Sequence, residues 1–384
     1  SPVAKINQLR CEPMPLRSLV RQLRDGALTG ELLERSRRSE RLLMRGAGRN
    51  CRALIASAMA QRDGSPLLVV VPTLEEAGRW TALLELMGWS LASLYPTSEG
   101  SPYEPFDPTS EIIWGQLQVL SDLLNDPESS GRAIVATERC LQPHLPPPDA
   151  LKATCRVLTR GDEVELDSLA ETLAKLGYER VSTIDQEGTW SRRGDIVDIF
   201  SVSSELPVRL EFFGEELVKL REFDPSTQRS LDPIDQLRLT PTGFNPLIAD
   251  QLRATMPDGL SSLLGEQATD ELLEGGTPEG MRRLMGLAWN EPASLLDYLP
   301  DVTTVVIDER RQGLAHGQLW LDHAIEHHKE MAIEVGLSEQ DRDLLWPGVL
   351  HRDVVAAYGL AEVFDGFDLA ELLEEDNHPN SFDF

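Results

Sequence analysis

The chain has 384 residues, of which 41% are hydrophobic and 26% are charged, a composition typical of a globular protein with two or three domains. Its 64 acidic residues outnumber 36 basic ones, and the net charge of −28 argues against tight non-specific binding of nucleic acid. Four scattered cysteines exclude a disulfide scaffold and a cysteine-rich zinc site, and they fit a reducing cytoplasm. Neither a bilayer-crossing apolar run nor a signal peptide is predicted.

Residues 1–148 are predicted to form an α/β domain around a parallel sheet. The continuous apolar runs Leu67–Val71 and Ala133–Ala136 are typical of strands that are buried on both faces. A helical stripe over Glu111–Leu124 lies between them, and alternation of strands with helices favours parallel pairing. The proline cluster at 146–148 is predicted to be a linker.

Residues 149–241 are predicted to form a small α+β module. One helix is indicated by leucines that share a face, and it is followed by short alternating segments that end at turn residues. This pattern predicts an antiparallel meander beside a helix. The predicted segments are Glu179–Ile184, Gly194–Phe200, Val208–Phe213 and Glu216–Phe223.

Residues 242–360 are predicted to be the second part of the α/β domain and mainly helical. They contain one buried strand, Thr303–Ile307, and a long helix, Arg310–Val335. The last segment, 361–384, holds eight acidic residues and no lysine or arginine. Because such charge runs are usually solvated, this segment is predicted to be an acidic tail or linker.

A possible phosphate loop precedes the first strong strand. The Walker A consensus GxxxxGK[ST] needs a lysine for the phosphates and a hydroxyl for Mg²⁺. Here Gly46 and Gly48 preserve part of the skeleton, whereas Leu43, Arg49 and Asn50 occupy the first glycine, lysine and hydroxyl positions. The sequence therefore predicts a degenerate nucleotide loop without a working nucleotide site.

Two further patterns resemble chemical sites only weakly. Asp308 and Glu309 follow an apolar run as in a Walker B strand, but any buried strand before an acidic helix start gives this pattern. His323 and His327 are spaced to share a metal, yet Ala324 stands where the zinc-protease motif has glutamate. No catalytic residue and no metal site are predicted.

The meander carries the residues that suggest binding. Strand alternation puts Arg209 and Phe213 on one face of their segment and Phe212 on the other. Arginine and aromatic side chains commonly anchor protein interfaces. In the alternative interpretation, Phe213 is also a core residue, and the arginines pair locally with Glu211 or Asp195.

The segments Gly188–Phe200 and Pro207–Glu216 resemble the signature of the UvrA-interaction domain. Bacterial UvrB and the transcription-repair coupling factor (Mfd) family share that domain. The resemblance spans roughly residues 25–310, and several segments are closer to the Mfd version. Those segments are Ser101–Glu104, Arg221–Ser230, Glu279–Met281 and Leu296–Pro300.

The resemblance implies a degenerate RecA/UvrB-like parallel-sheet domain that is interrupted by the UvrA-interaction module. It also implies a non-catalytic N-terminal platform that recruits UvrA to stalled RNA polymerase in transcription-coupled nucleotide excision repair. The family's UvrA-contacting positions fall on Arg193, Arg209 and Phe213. No cofactor is expected in these residues.

In the family, ATP and Mg²⁺ bind motor domains that are not recognisable in this chain. RNA polymerase and DNA are engaged by those other domains, and a C-terminal domain covers the UvrA-binding face. An alternative is a UvrB-like, ATP-dependent protein that binds damaged DNA, against which Arg49 and Asn50 argue. A third interpretation, an independent structural protein, requires the chain to end naturally at Phe384.

Overall fold

The computed structural model describes residues 15–38, 41–127, 129–256, 260–334, 336, 338, 340, 348–373 and 378–384. The strands are β1 (Leu42–Arg45), β2 (Leu67–Val71), β3 (Leu91–Tyr95), β4 (Arg132–Thr137), β5 (Arg156–Thr159), β6 (Glu179–Arg180), β7 (Thr189–Arg193), β8 (Ile196–Phe200), β9 (Val208–Phe213), β10 (Glu216–Phe223), β11 (Ser230–Pro233), β12 (Gln236–Leu239), β13 (Thr304–Asp308), β14 (Gly366–Ala370) and β15 (Ser381–Asp383).

The helices that precede the module are α1 (Leu16–Arg24), α2 (Ala27–Ser36), α3 (Arg49–Asp63), α4 (Leu74–Leu86), α5 (Ser110–Asn125) and α6 (Pro148–Thr154). The later helices are α7 (Leu166–Lys175), α8 (Asn245–Thr255), α9 (Leu260–Leu264), α10 (Glu266–Leu273), α11 (Met285–Ala288), α12 (Arg310–Glu334) and α13 (Val354–Ala361). Short 3₁₀ helices cover Glu138–Leu141, Met281–Leu284 and Leu295–Tyr298.

A seven-stranded parallel sheet, in the order β15-β1-β14-β13-β2-β4-β3, organises the larger domain. Strand β2, in the interior of this sheet, is buried at every position. Leu68 and Val70 face one hydrophobic core, and Val69 and Val71 face the other. Helices α3 and α4 pack on the second of these faces, and α5 and α12 pack on the first. This arrangement confirms the predicted α/β class.

The middle module is built on a separate six-stranded sheet, in the order β11-β10-β9-β8-β7-β6. Its strands pair antiparallel except for β6 and β7, and the module has its own hydrophobic core. The first and last strands of the module, β5 and β12, pair with each other. The predicted antiparallel meander is confirmed for β8, β9 and β10, whereas the predicted segment Glu179–Ile184 is a strand only in β6 and pairs parallel with β7. Strands β7 and β11 are not among the predicted segments.

The prediction of an acidic tail over residues 361–384 is wrong, because β14 and β15 belong to the main sheet. Phe367 and Leu369 alternate into the core beside α3 and α4. Between them, Asp368 accepts a hydrogen bond at Oδ1 from Arg41 Nε at 2.6 Å, which forms an ion pair. The acidic residues that suggested a solvated tail therefore include an ion-pair partner on an interior strand of the sheet.

Candidate docking site

Strand β9 presents two neighbouring phenylalanines to opposite faces of the module sheet. Phe212 is 6% exposed and packs in the module core, whereas Phe213 is 80% exposed. This difference follows from the alternation of side chains along a strand. The predicted orientation of β9 is confirmed, and the alternative in which Phe213 is a core residue is wrong.

Two arginines on neighbouring strands converge on one buried carboxylate, Asp198 of β8. Arg209 donates from Nε to Oδ1 at 2.8 Å and from Nη2 to Oδ2 at 2.9 Å. Arg193 donates from Nη2 to Oδ2 at 3.1 Å. The strand register causes this convergence, since Asp198 lies directly opposite Arg209.

The interpretation that these arginines pair with Glu211 or Asp195 is wrong. Glu211 instead receives a hydrogen bond from Lys219 Nζ at 3.0 Å, across the β9–β10 pair. Asp198 accepts hydrogen bonds from both arginines because its side chain lies on the same face of the sheet as theirs, as the alternation of side chains along β8 requires.

The two arginines differ in their access to solvent. The side chain of Arg209 is 19% exposed, and its guanidinium lies 4.9 Å from the ring centre of Phe223. Its hydrogen bonds to Asp198 raise the pKa of Arg209 above the ordinary value, so the cation is held firmly. The side chain of Arg193 is 60% exposed and is anchored through Nη2.

We call the surface formed by Arg193, Ile196, Asp198, Arg209 and Phe213 the docking face. Ile196 is partly exposed and lies in register with Arg193 on one side and with β9 on the other. Phe213 is four residues from Arg209 along β9, a separation of about 13 Å. In the structure Arg193 and Arg209 are therefore linked through Asp198, and the ring of Phe213 lies farther along the same face of the sheet.

Sequence reasoning missed Asp198 and Ile196, although both lie in a segment that it recognised. Their alternation with Val197 and Ile199 indicates that they share a strand face. It does not indicate which residues of β7 and β9 lie opposite them. Only the observed register brings Asp198 to the arginines.

The loop between β1 and α3 contains the residues of the predicted degenerate phosphate loop. Gly46 has a φ of 89°, and Gly48 precedes the first turn of α3. The guanidinium of Arg49 donates to both carboxylate oxygens of Glu76, at 2.7 Å each. Glu76 is held there because Thr73 caps α4 by accepting a hydrogen bond from the Glu76 N–H at 3.2 Å. Asn50 is exposed.

A buried ion pair between Arg52 and Asp308 lies next to this loop. Arg52 of α3 lies 2.9 Å from Asp308, at the end of β13, and 3.1 Å from Glu309. Trp80 donates from Nε1 to Asp308 at 2.9 Å. Burial raises the pKa of Asp308 to about 7, against the opposing effect of Arg52. Both arginines at the start of α3 are thus bound to carboxylates of the chain itself.

The paired histidines of α12 form no visible metal centre. His323 and His327 stack with ring centres 5.1 Å apart. No group of three or more His, Cys, Asp or Glu side chains is arranged to hold a metal ion within the described residues. Across the same part of the chain, no helix combines the length and apolar character of a membrane span.

Comparison with known proteins finds sequence similarity to one domain family and to several longer proteins. The UvrB interaction domain family matches residues 157–243, a range that includes the whole docking face. The transcription-repair-coupling factor of Mycobacterium bovis is 31% identical over 77% of this chain. The chain is thus similar in sequence to transcription-repair-coupling factors. It is 28% identical to the Bacillus subtilis protein over 70% of the chain and 25% identical to the Myxococcus xanthus protein over 94%.

The chain spans about a quarter to a third of the length of these coupling factors. The match to the interaction domain begins at 157 and ends at 243, close to the predicted module over 149–241. The loop from Gly46 to Asn50 lies outside that match.

Proposed function

We propose that this chain is the non-catalytic, UvrB-like N-terminal part of a transcription-repair coupling factor. In this proposal it recruits UvrA to stalled RNA polymerase during transcription-coupled nucleotide excision repair. The docking face carries the proposal, because an exposed phenylalanine shares a sheet face with two arginines within the residues that match the UvrB interaction domain. Such residues are typical anchors of protein interfaces. Arg193, Arg209 and Phe213 are the proposed UvrA contacts.

We further propose that these residues use no ATP, metal or other cofactor. The guanidinium of Arg49 is already bound to Glu76, and Arg52 is bound to Asp308. A phosphate at the start of α3 would have to displace these carboxylates and would be repelled by them. In the longer protein, ATP and Mg²⁺ would serve motor domains outside this chain, and other domains would contact RNA polymerase and DNA.

The alternative function is that of a UvrB-like, ATP-dependent protein that binds damaged DNA. It requires a group that holds Mg²⁺ where Asn50 stands, and the amide of asparagine lacks the hydroxyl that serves this purpose. The paired Arg49 also disfavours it. Because the proposed partners work on the bacterial chromosome, we place the protein in the cytoplasm.

The decisive experiment is a titration of the fluorescently labelled chain with purified UvrA. Phe213→Ala is expected to weaken binding by about thirtyfold or more, since an anchor residue contributes about 2 kcal/mol. The chain offers a matched control in Phe106, which is 78% exposed and lies outside the module. Phe106→Ala is expected to leave the affinity within about twofold of the unsubstituted chain.

Two results would contradict the proposal. If the unsubstituted chain does not bind UvrA, recruitment through this region is excluded. If Phe106→Ala and Phe213→Ala weaken binding equally, the docking face has no special part in it. A requirement for ATP in the titration would favour the UvrB-like alternative.

A further inference from the structure

We propose that Asp198 is the positioning residue of the docking face, which presents a pair of arginines to a carboxylate on the partner. This inference rests on the proposed function and identifies the chemistry that the partner must offer. Asp198 does not itself reach the partner, because its side chain is only 1% exposed. It acts through the two cations that it holds.

The geometry at Asp198 limits the freedom of both arginines. Its two oxygens accept three hydrogen bonds, two from Arg209 and one from Arg193. The fork of Arg209 is further confined by the ring of Phe223. Long arginine side chains otherwise lose conformational freedom when they bind a partner. Asp198 removes part of that cost before the partner arrives.

The charge on this cluster selects the kind of partner group. Two guanidinium groups and one carboxylate leave one net positive charge, and Glu211 is neutralised separately by Lys219. Arg193 remains largely exposed, so its outward N–H groups face the solvent. A carboxylate matches the planar fork of a guanidinium and is the expected partner group.

The spacing on the docking face adds a second requirement. Phe213 lies about 13 Å along β9 from Arg209, at a strand rise of about 3.3 Å per residue. A complementary surface therefore presents an acidic side chain and an apolar pocket at about that separation. Ile196 lies beside this span on β8, because it pairs with Glu211, the residue midway between Arg209 and Phe213, and it adds exposed apolar surface there.

The charge requirement is tested with two adjacent arginines of β7 that point to opposite faces. Arg192 is paired with Asp167 at 2.7 Å and lies away from the docking face. Arg193→Glu is expected to weaken UvrA binding about a hundredfold, whereas Arg192→Glu is expected to change it less than about threefold. Because both changes alter the net charge equally, similar losses would overturn the inference of a partner carboxylate.

The positioning role is tested with Asp198→Asn, which keeps the shape of the side chain and removes its charge. We expect at least a tenfold loss of UvrA affinity in the otherwise unsubstituted chain. In the Arg193→Ala background the same change should cause a markedly smaller loss, because part of its effect passes through Arg193. An equal loss in both backgrounds, or no loss in either, would overturn the positioning role.

A purely structural role for Asp198 is distinguished by a denaturant melt and by the conservative variant Asp198→Glu. Asp198→Glu restores the charge, so it should recover affinity that Asp198→Asn loses. If Asp198→Asn fails to fold, the arginine comparison on β7 still decides the partner chemistry, since Arg193 is exposed. Binding of UvrA that depends on Phe213 but not on Arg193 or Asp198 would refute this inference alone and leave the proposed function standing.

Discussion

The two phenylalanines of β9 allow stability and binding to be separated within one dipeptide. We compare Phe212→Ala with Phe213→Ala, two identical chemical changes at neighbouring positions on opposite faces of one strand. Phe212 is 6% exposed and Phe213 is 80% exposed. We expect Phe212→Ala to destabilise the module and Phe213→Ala to leave its folding nearly unchanged.

The expected magnitudes follow from the buried area of each ring. Removing a buried phenylalanine side chain costs about 3–5 kcal/mol, since lost transfer free energy and a residual cavity add together. A phenylalanine side chain buries about 200 Å² when it is fully enclosed. Because Phe213 hides only a fifth of its surface, about 40 Å² is at stake, which corresponds to about 1 kcal/mol at most.

The assay is urea denaturation followed by UvrA titration on the same protein preparations. The free energy of unfolding of Phe212→Ala should fall by about 3 kcal/mol or more, and that of Phe213→Ala by less than about 1 kcal/mol. For the folded protein, Phe213→Ala should weaken UvrA binding more than Phe212→Ala does. If Phe213→Ala destabilises the module as strongly as Phe212→Ala, the ring is part of the core and the docking face is misassigned.

Three other measurements test the buried Glu138, the loop before α3 and the charge of the chain. Glu138 is buried, and burial raises its pKa from 4.5 to about 7. The folded protein thus keeps a proton that the unfolded chain releases, and stability should fall as pH rises from about 4.5 to 7. Glu138→Gln should remove the part of this slope that Glu138 contributes, Asp308 contributing in the same range, and it should be about 3 kcal/mol more stable at pH 8 than the unsubstituted chain, as measured by denaturant melts; equal slopes in the two proteins would contradict the pKa shift of Glu138. Calorimetry should detect no saturable Mg²⁺·ATP binding, since Arg49 is bound to Glu76; a micromolar site would revive the UvrB-like alternative. With a net charge of −28, the chain should not shift duplex DNA in gels at about 150 mM salt, and submicromolar binding would reveal a local basic patch.

The local character of most elements was predictable from the sequence. The apolar run Leu67–Val71 becomes a buried interior strand of a parallel sheet, because a strand covered on both faces needs apolar residues at every position. The alternation over Val208–Phe213 likewise predicts which residues point inward. The resemblance to the UvrA-interaction domain, carried by Gly188–Phe200 and Pro207–Glu216, is confirmed by the match to the UvrB interaction domain.

Only the tertiary structure decided which groups meet across the chain. The composition of 361–384 suggests a solvated tail, yet Arg41 and Arg310 from distant elements pair with Asp368 and allow that strand to fold into the sheet. Strand register likewise brings Asp198 to Arg193 and Arg209. Side-chain periodicity is a property of one segment, and it therefore predicts the face that a residue occupies. The partner of a charge depends on how separate segments are placed, and that is determined by the packing of the whole domain.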